Sequence, residues 1–248
     1  MAKGAGKFAL TLDLHQLDTK RTLAQKSGEK VRSLVIPDRY DANADVSSGA
    51  DVIAPWYAAM TTMAESGRSS LLEVGGALPP LFHSGVTDLD VEEDIGLLGL
   101  TIIAMIVTKA GGDAASQLVR EVRRWEQNIP IAHLLIALNE MNGSPLSAAE
   151  ELEGKLRERF FGIVDRYPTV RIPRLHTKSM VLYERMPYLP SEIVSWHRDN
   201  YSEALAKTGK PRDEAKRFIR DIATWTGTIQ DELLRVMPFL HGEEKANG

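Results

Sequence analysis

The sequence predicts an α/β fold: a mostly parallel sheet flanked by helices, followed by a helical C-terminal segment. Three observations predict it. Apolar runs of strand length alternate with amphipathic stretches along most of the chain. Those runs are continuously apolar rather than strictly alternating, which suits strands buried on both faces of a parallel sheet. From about Pro187 onward only helical periodicity remains. The expected division is an α/β domain over residues 1–186 and a helical extension over 187–248 packed on it.

In chain order, "FALTLDL" (Phe8 to Leu14) reads as the first strand. "SSLLEVGGA" (Ser69 to Ala77) reads as a short buried strand ending in a glycine turn. "LTIIAMIVT" (Leu100 to Thr108) is rich in β-branched residues and runs to Gly111-Gly112. "AHLLIALN" (Ala132 to Asn139) is a further strand, and "TVRIP" (Thr169 to Pro173) a short last one. Between them, Asp113 is placed to cap a helix whose Leu118, Val122, Trp125 and Ile129 share one face. Ser147 and Glu150 form a capping-box pattern ahead of Leu152, Leu156, Phe160 and Ile163. Phe218, Ile222, Trp225, Ile229 and Leu233 make a third apolar stripe, again read as a core-facing surface.

The composition narrows the function classes. With 248 residues, 43% hydrophobic and 26% charged, the chain is an ordinary globular protein with ample length for a core. It has no cysteine, which excludes disulfides, thiolate zinc sites and cysteine nucleophiles. A net charge of −4 argues against a surface devoted to nucleic acid. The first residues carry no sustained apolar stretch, and the longest such run, Leu97 to Val107, is too short for a membrane span of about 20 residues. A cytoplasmic protein without membrane contact is expected.

The opening "KGAGK" (residues 3 to 7) looks like a phosphate-cradling loop. Such a loop needs a strand before it, a helix after it, and a Ser or Thr after its Lys to hold magnesium. Here Gly4 stands three residues from Met1, Lys7 is followed by Phe8 and Ala9, and the next stretch reads as a strand. All three requirements fail.

The strand after the loop is more informative. "GKFALTLDLHQLDTKRTL" resembles the second strand of the ParA/MinD-type ATPases, a deviant P-loop group that includes the conjugation protein TraL. In that group a Gly-Lys turn leads into an apolar strand that ends in an Asp-x-Asp-Pro-like motif. "SSLLEVGGALPPLF" resembles the Walker B strand, with Glu73 at the acidic position. "IIAMIVTKAGGDAASQLVREVRRW" resembles the next strand and its helix. "LLIALNEMNG" resembles the strand ending in an Asn near the adenine, here Asn139, and "VRIPRL" a late strand near the base pocket. The likeness covers residues 3 to 190 and rests on the order and spacing of short motifs.

The resemblance implies an ATP- and Mg2+-binding protein, a homodimer, that serves plasmid partition, conjugation or the positioning of a cargo. It places Asp13 at the first acid of the motif and His15 at the second, where the family positions the attacking water. It puts Glu73 at the magnesium and Asn139 at the adenine. It also makes "MAKGAGK" the tail of the helix after the phosphate loop, so that the first strand and the true loop belong upstream of Met1. Three features depart from the pattern. His15 replaces an acid, Gln16 replaces the Pro, and Glu73 is one methylene longer than Asp. A neutral imidazole can orient water but supplies no fixed negative charge. The alternative is therefore a degenerate, non-hydrolysing interaction module.

Other constellations have plainer explanations. No two of the six histidines show the i, i+4 spacing of a helical metal site. "FHSGV" around Ser84 lacks the Gly-x-Ser-x-Gly of a nucleophile elbow. Asp88, Asp90, Glu92, Glu93 and Asp94 read as a solvated helix N-terminus. Lys155, Arg157, Arg159, Arg166, Arg171, Arg174, Lys178 and Arg185 read as a solvated face, with weak nonspecific DNA contact as the functional alternative.

Overall fold

The computed structural model describes residues 12–17, 31–33, 49–67, 69–76, 78–199 and 201–237, with backbone alone for 12–17, 31–33, 197–199 and 201–204. The chain divides into two compact units. One holds the described residues up to Ile102 together with Arg124–Ala132; the other holds Ile103–Arg123 and His133–Val236.

In the first unit, β1 (Leu12–Leu17) lies between β2 (Val31–Ser33) and β3 (Ser69–Val74), and both pairings are parallel. The expected strand at Phe8 to Leu14 is thus met over its last three residues and extends to Leu17, while residues 8–11 lie outside the described ones. Three helices belong to this unit: α1 (Gly49–Ser66), α2 (Pro79–Asp88) and α3 (Val91–Leu97). The helix α1 forms where the sequence pattern assigns no element. Its Val52, Ile53, Trp56, Met60 and Met63 recur at helical spacing and are all buried, against Leu81, Phe82 and Val86 of α2 and Ile95 of α3. Burying each such side chain contributes about 1.5–3 kcal/mol, and Phe82 sits 5.8 Å from Trp56 and 5.6 Å from Trp125 by ring centroids. The crossing of α1 and α2 depends on two glycines. A Cβ on Gly49 or on Gly85 would stand inside the other's backbone, so only glycine permits this close approach.

In the second unit, β4 (Ile103–Lys109), β5 (His133–Asn139) and β6 (Thr169–Ile172) form a parallel sheet in that order. The β5 strand meets the expectation of burial on both faces, since Leu134–Leu138 are all buried. Its neighbour β4 does not. Ala104, Ile106 and Thr108 are buried, but Ile103, Met105 and Val107 are 37%, 42% and 57% exposed. The continuous apolar run therefore conceals a one-sided strand.

The helix α4 (Gly112–Asn128) carries the predicted stripe. Leu118 and Val122 are buried, and Trp125 and Ile129 pack in the first unit's core. At α5 (Pro145–Glu150) the cap is Ser144, whose Oγ accepts from the Ser147 N–H at 3.2 Å. The expected Ser147–Glu150 box is thus displaced by three residues, because Pro145 takes the first helical position. The stripe of Leu156, Phe160 and Ile163 belongs to a separate helix, α6 (Gly154–Arg166).

The C-terminal part is helical, as expected: α7 (Thr177–Glu184), α8 (Pro190–Asp199), α9 (Tyr201–Thr208) and α10 (Arg212–Val236). Phe218, Ile219 and Ile222 of α10 pack on Ile193 and Trp196 of α8 and on Met186. The Trp225 indole donates to the Pro173 carbonyl at 2.8 Å, and the Ser179 hydroxyl to Asp221 at 2.5 Å. Among the described residues no helix is long and apolar enough to cross a membrane.

Candidate functional site

Parallel strands deliver their C-terminal ends to one rim, and loops after those ends carry sites in open α/β sheets. In the first unit that rim holds Gln16 and Leu17 of β1 abreast of Glu73 and Val74 of β3. Asp13 is in register with Ser70 and His15 with Leu72. Both lie inside the ladder, because β1 runs to Leu17, rather than at a turn after a strand ending at Leu14. Glu73 is half-buried, one residue from the end of β3.

In the second unit the rim holds Lys109 and Asn139, which are paired in register. Lys109 is exposed. The chain then turns through Gly111, at φ +124, into the N-terminus of α4. That φ lies in a region open to glycine and strained for other residues. Asn139 is half-buried, and its Oδ1 accepts from the Met141 N–H at 3.0 Å. This Asx turn fixes the side chain and leaves its NH2 group without a partner among the described residues. The loop after β5 returns past the loop after β4: a Cβ on Gly143 would lie 3.8 Å from the Ala110 Cβ. Lys109, a helix N-terminus and an oriented amide thus gather at one rim, a donor-rich surface suited to an anionic or hydrogen-bonding ligand. Sequence reasoning singled out Asn139, which stands at the end of β5, and passed over Lys109, whose place at a strand end was signalled only by the glycines after it.

Glu92, Glu93 and Asp94 fill the first turn of α3, as anticipated for acids at a helix N-terminus. Asp94 also accepts a hydrogen bond from the Tyr57 hydroxyl on α1, which no sequence spacing signalled. That bond holds the Tyr57 phenol above its usual pKa, with burial and the charges of Asp94 and Asp90 acting in the same direction. His83 is buried, 5.4 Å from the Phe82 ring and 5.3 Å from the Trp125 ring, a packing role. No group of three or more acids and histidines able to hold a metal occurs among the described residues. The eight basic side chains from Lys155 to Arg185 include Arg171, which is bound to Glu140 at 2.5 and 2.8 Å while remaining exposed.

No protein-family model matches the chain, and no curated protein or solved structure matches it either.

Proposed function

We propose that this chain is a ParA/MinD/TraL-like nucleotide-binding protein that works with ATP and Mg2+ as a homodimer, positioning or transferring a cargo in plasmid partition or conjugation. One observation carries the reading. The β4 strand has a single ladder partner among the described residues, yet Ile103–Val107 are all apolar. An edge strand of that composition is one written for an interior position. In the P-loop reading the strand that carries the phosphate loop lies inside the sheet, so a sheet lacking it leaves the outward ladder groups of a neighbouring strand without a partner. The order of parallel strands and intervening helices supports the same reading.

In this proposal Asp13 and Glu73 act toward magnesium and the γ-phosphate, with Glu73 reaching the ion through a water. His15 orients the attacking water as a neutral imidazole, and Asn139 offers its NH2 to the adenine. The basic residues between Lys155 and Arg185 supply weak, salt-sensitive contact with DNA backbone. His15 in the place of an acid favours a second reading, a non-hydrolysing interaction module.

Calorimetry with ATP and Mg2+ tests the proposal, on this chain and on one extended upstream in frame. Binding by the extended form alone supports the nucleotide-binding reading. Binding by the chain as it stands would make "KGAGK" a working phosphate loop. Absence of binding by both overturns the reading in favour of the interaction module.

A further inference from the structure

We infer that the groove between α1 and α3 is a docking site for a basic amphipathic segment of a partner protein. The groove lies within the first unit and is independent of the nucleotide reading. Its walls are Tyr57, Met60 and Thr61 from α1, and Asp94 and Leu97 of α3 with Leu98 at its C-cap. Each wall presents positions i, i+3 and i+4, so the two triplets face one another along a short cleft. The cleft holds about 210 Å³. That is below the roughly 300–1,000 Å³ of small-molecule sites, and suits one or two inserted side chains.

The chemistry of the walls selects the occupant. Met60 is buried at the base, and Leu97, at 75% exposure, is the most exposed large apolar side chain among the described residues. In the proposed complex an apolar group of the partner covers it. Beside it, Asp94 is oriented by the Tyr57 hydroxyl. No Lys or Arg pairs with Asp94 among the described residues. The local sequence cannot supply one from the same elements: from Ser69 to Thr108 there are six acids, Glu73, Asp88, Asp90, Glu92, Glu93 and Asp94, and no Lys or Arg. In the proposed complex a Lys or Arg of the partner neutralises Asp94, which no Lys or Arg among the described residues does. A Lys or Arg three or four residues from a Leu on one helical face satisfies both requirements, in the manner of a helix laid in a groove.

The test is fluorescence anisotropy on the full chain with three labelled synthetic peptides of equal length. One places Lys and Leu on an amphipathic helical pattern, one scrambles the same residues, and one replaces Lys by Glu. The Lys/Leu peptide is expected to bind saturably, and the other two at least tenfold more weakly. Leu97→Asp and Asp94→Asn are expected to weaken it about tenfold or more, and Val181→Asp, at an exposed apolar position elsewhere, to leave it unchanged. The inference fails if the scrambled peptide binds equally well, or if Leu97→Asp and Asp94→Asn bind as the parent does. It also fails if tetramethylammonium displaces the peptide, which would make the groove a small-cation site. Self-association that is abolished by Leu97→Asp would make the occupant a second copy and overturn it too.

Discussion

On the β6 side of the second sheet, α10 lies against the edge and occupies its ladder groups. The Arg171 N–H donates to Glu232 at 3.2 Å, the Thr169 carbonyl accepts from Arg235 at 2.6 Å, and Arg235 reaches Glu232 at 2.9 Å. On the β4 side no described residue occupies the outward ladder groups. The difference shows what each strand was composed for. An edge strand needs a cover, a charge or a proline to avoid pairing with other chains. The β6 strand has both a cover and a charge, Arg171. The β4 strand carries no charge before Lys109 and no proline, the composition of a strand with neighbours on both sides.

The largest effect that breaks this contrast removes the cover from β6. Phe218 is 2% exposed in the α10 core, and Phe218→Ala is expected to cost about 3–5 kcal/mol in urea unfolding. Trp225→Phe keeps most of the packing but removes the donor to Pro173, and an unpaired carbonyl there costs about 1–3 kcal/mol. A smaller effect concerns charge. The bond from Arg235, together with the Arg171 N–H, holds the Glu232 carboxyl below its usual pKa despite some burial. The folded state therefore gains stability above the ordinary carboxylate range and loses it as pH falls through the lowered value. At such a partly exposed site the gain is ~0.5 kcal/mol, and Glu232→Gln should remove that acid-side dependence from a pH series of unfolding midpoints. The smallest effect sharpens the contrast. Val107→Lys on the open face of β4 should change stability by no more than about 0.5 kcal/mol, whereas a loss of several kcal/mol would show that the face is covered.

The same contrast explains what was legible in the sequence. The β5 strand and the α4 stripe could be read because burial enforces period and composition together. The exposure of β4 could not, because a continuous apolar run reads alike whether one face of the strand is covered or both. The α1 helix was hidden by Pro55 at its seventh position and by Gly49 at its start, both of which signal breaks. Its real determinants are the buried face from Val52 to Met63 and the glycine contact with α2, both tertiary. The displaced cap at α5 was legible in principle from Ser144-Pro145. Of the candidate sites, Asn139 was visible as a polar residue closing an apolar run, and its Asx turn was not. The Tyr57–Asp94 pair joins residues 37 apart, a separation that no local pattern reveals.

Amide hydrogen exchange across Ile103–Lys109 tests most directly whether β4 is a strand with an unfilled edge. Amides of β5 from Ile136 to Asn139, paired on both sides, should all be slow, and those of β4 should alternate, with the ones facing β5 slow and the outward ones fast. Uniform protection along β4, equal to that of β5, would contradict the open edge and with it the observation on which the nucleotide-binding proposal rests.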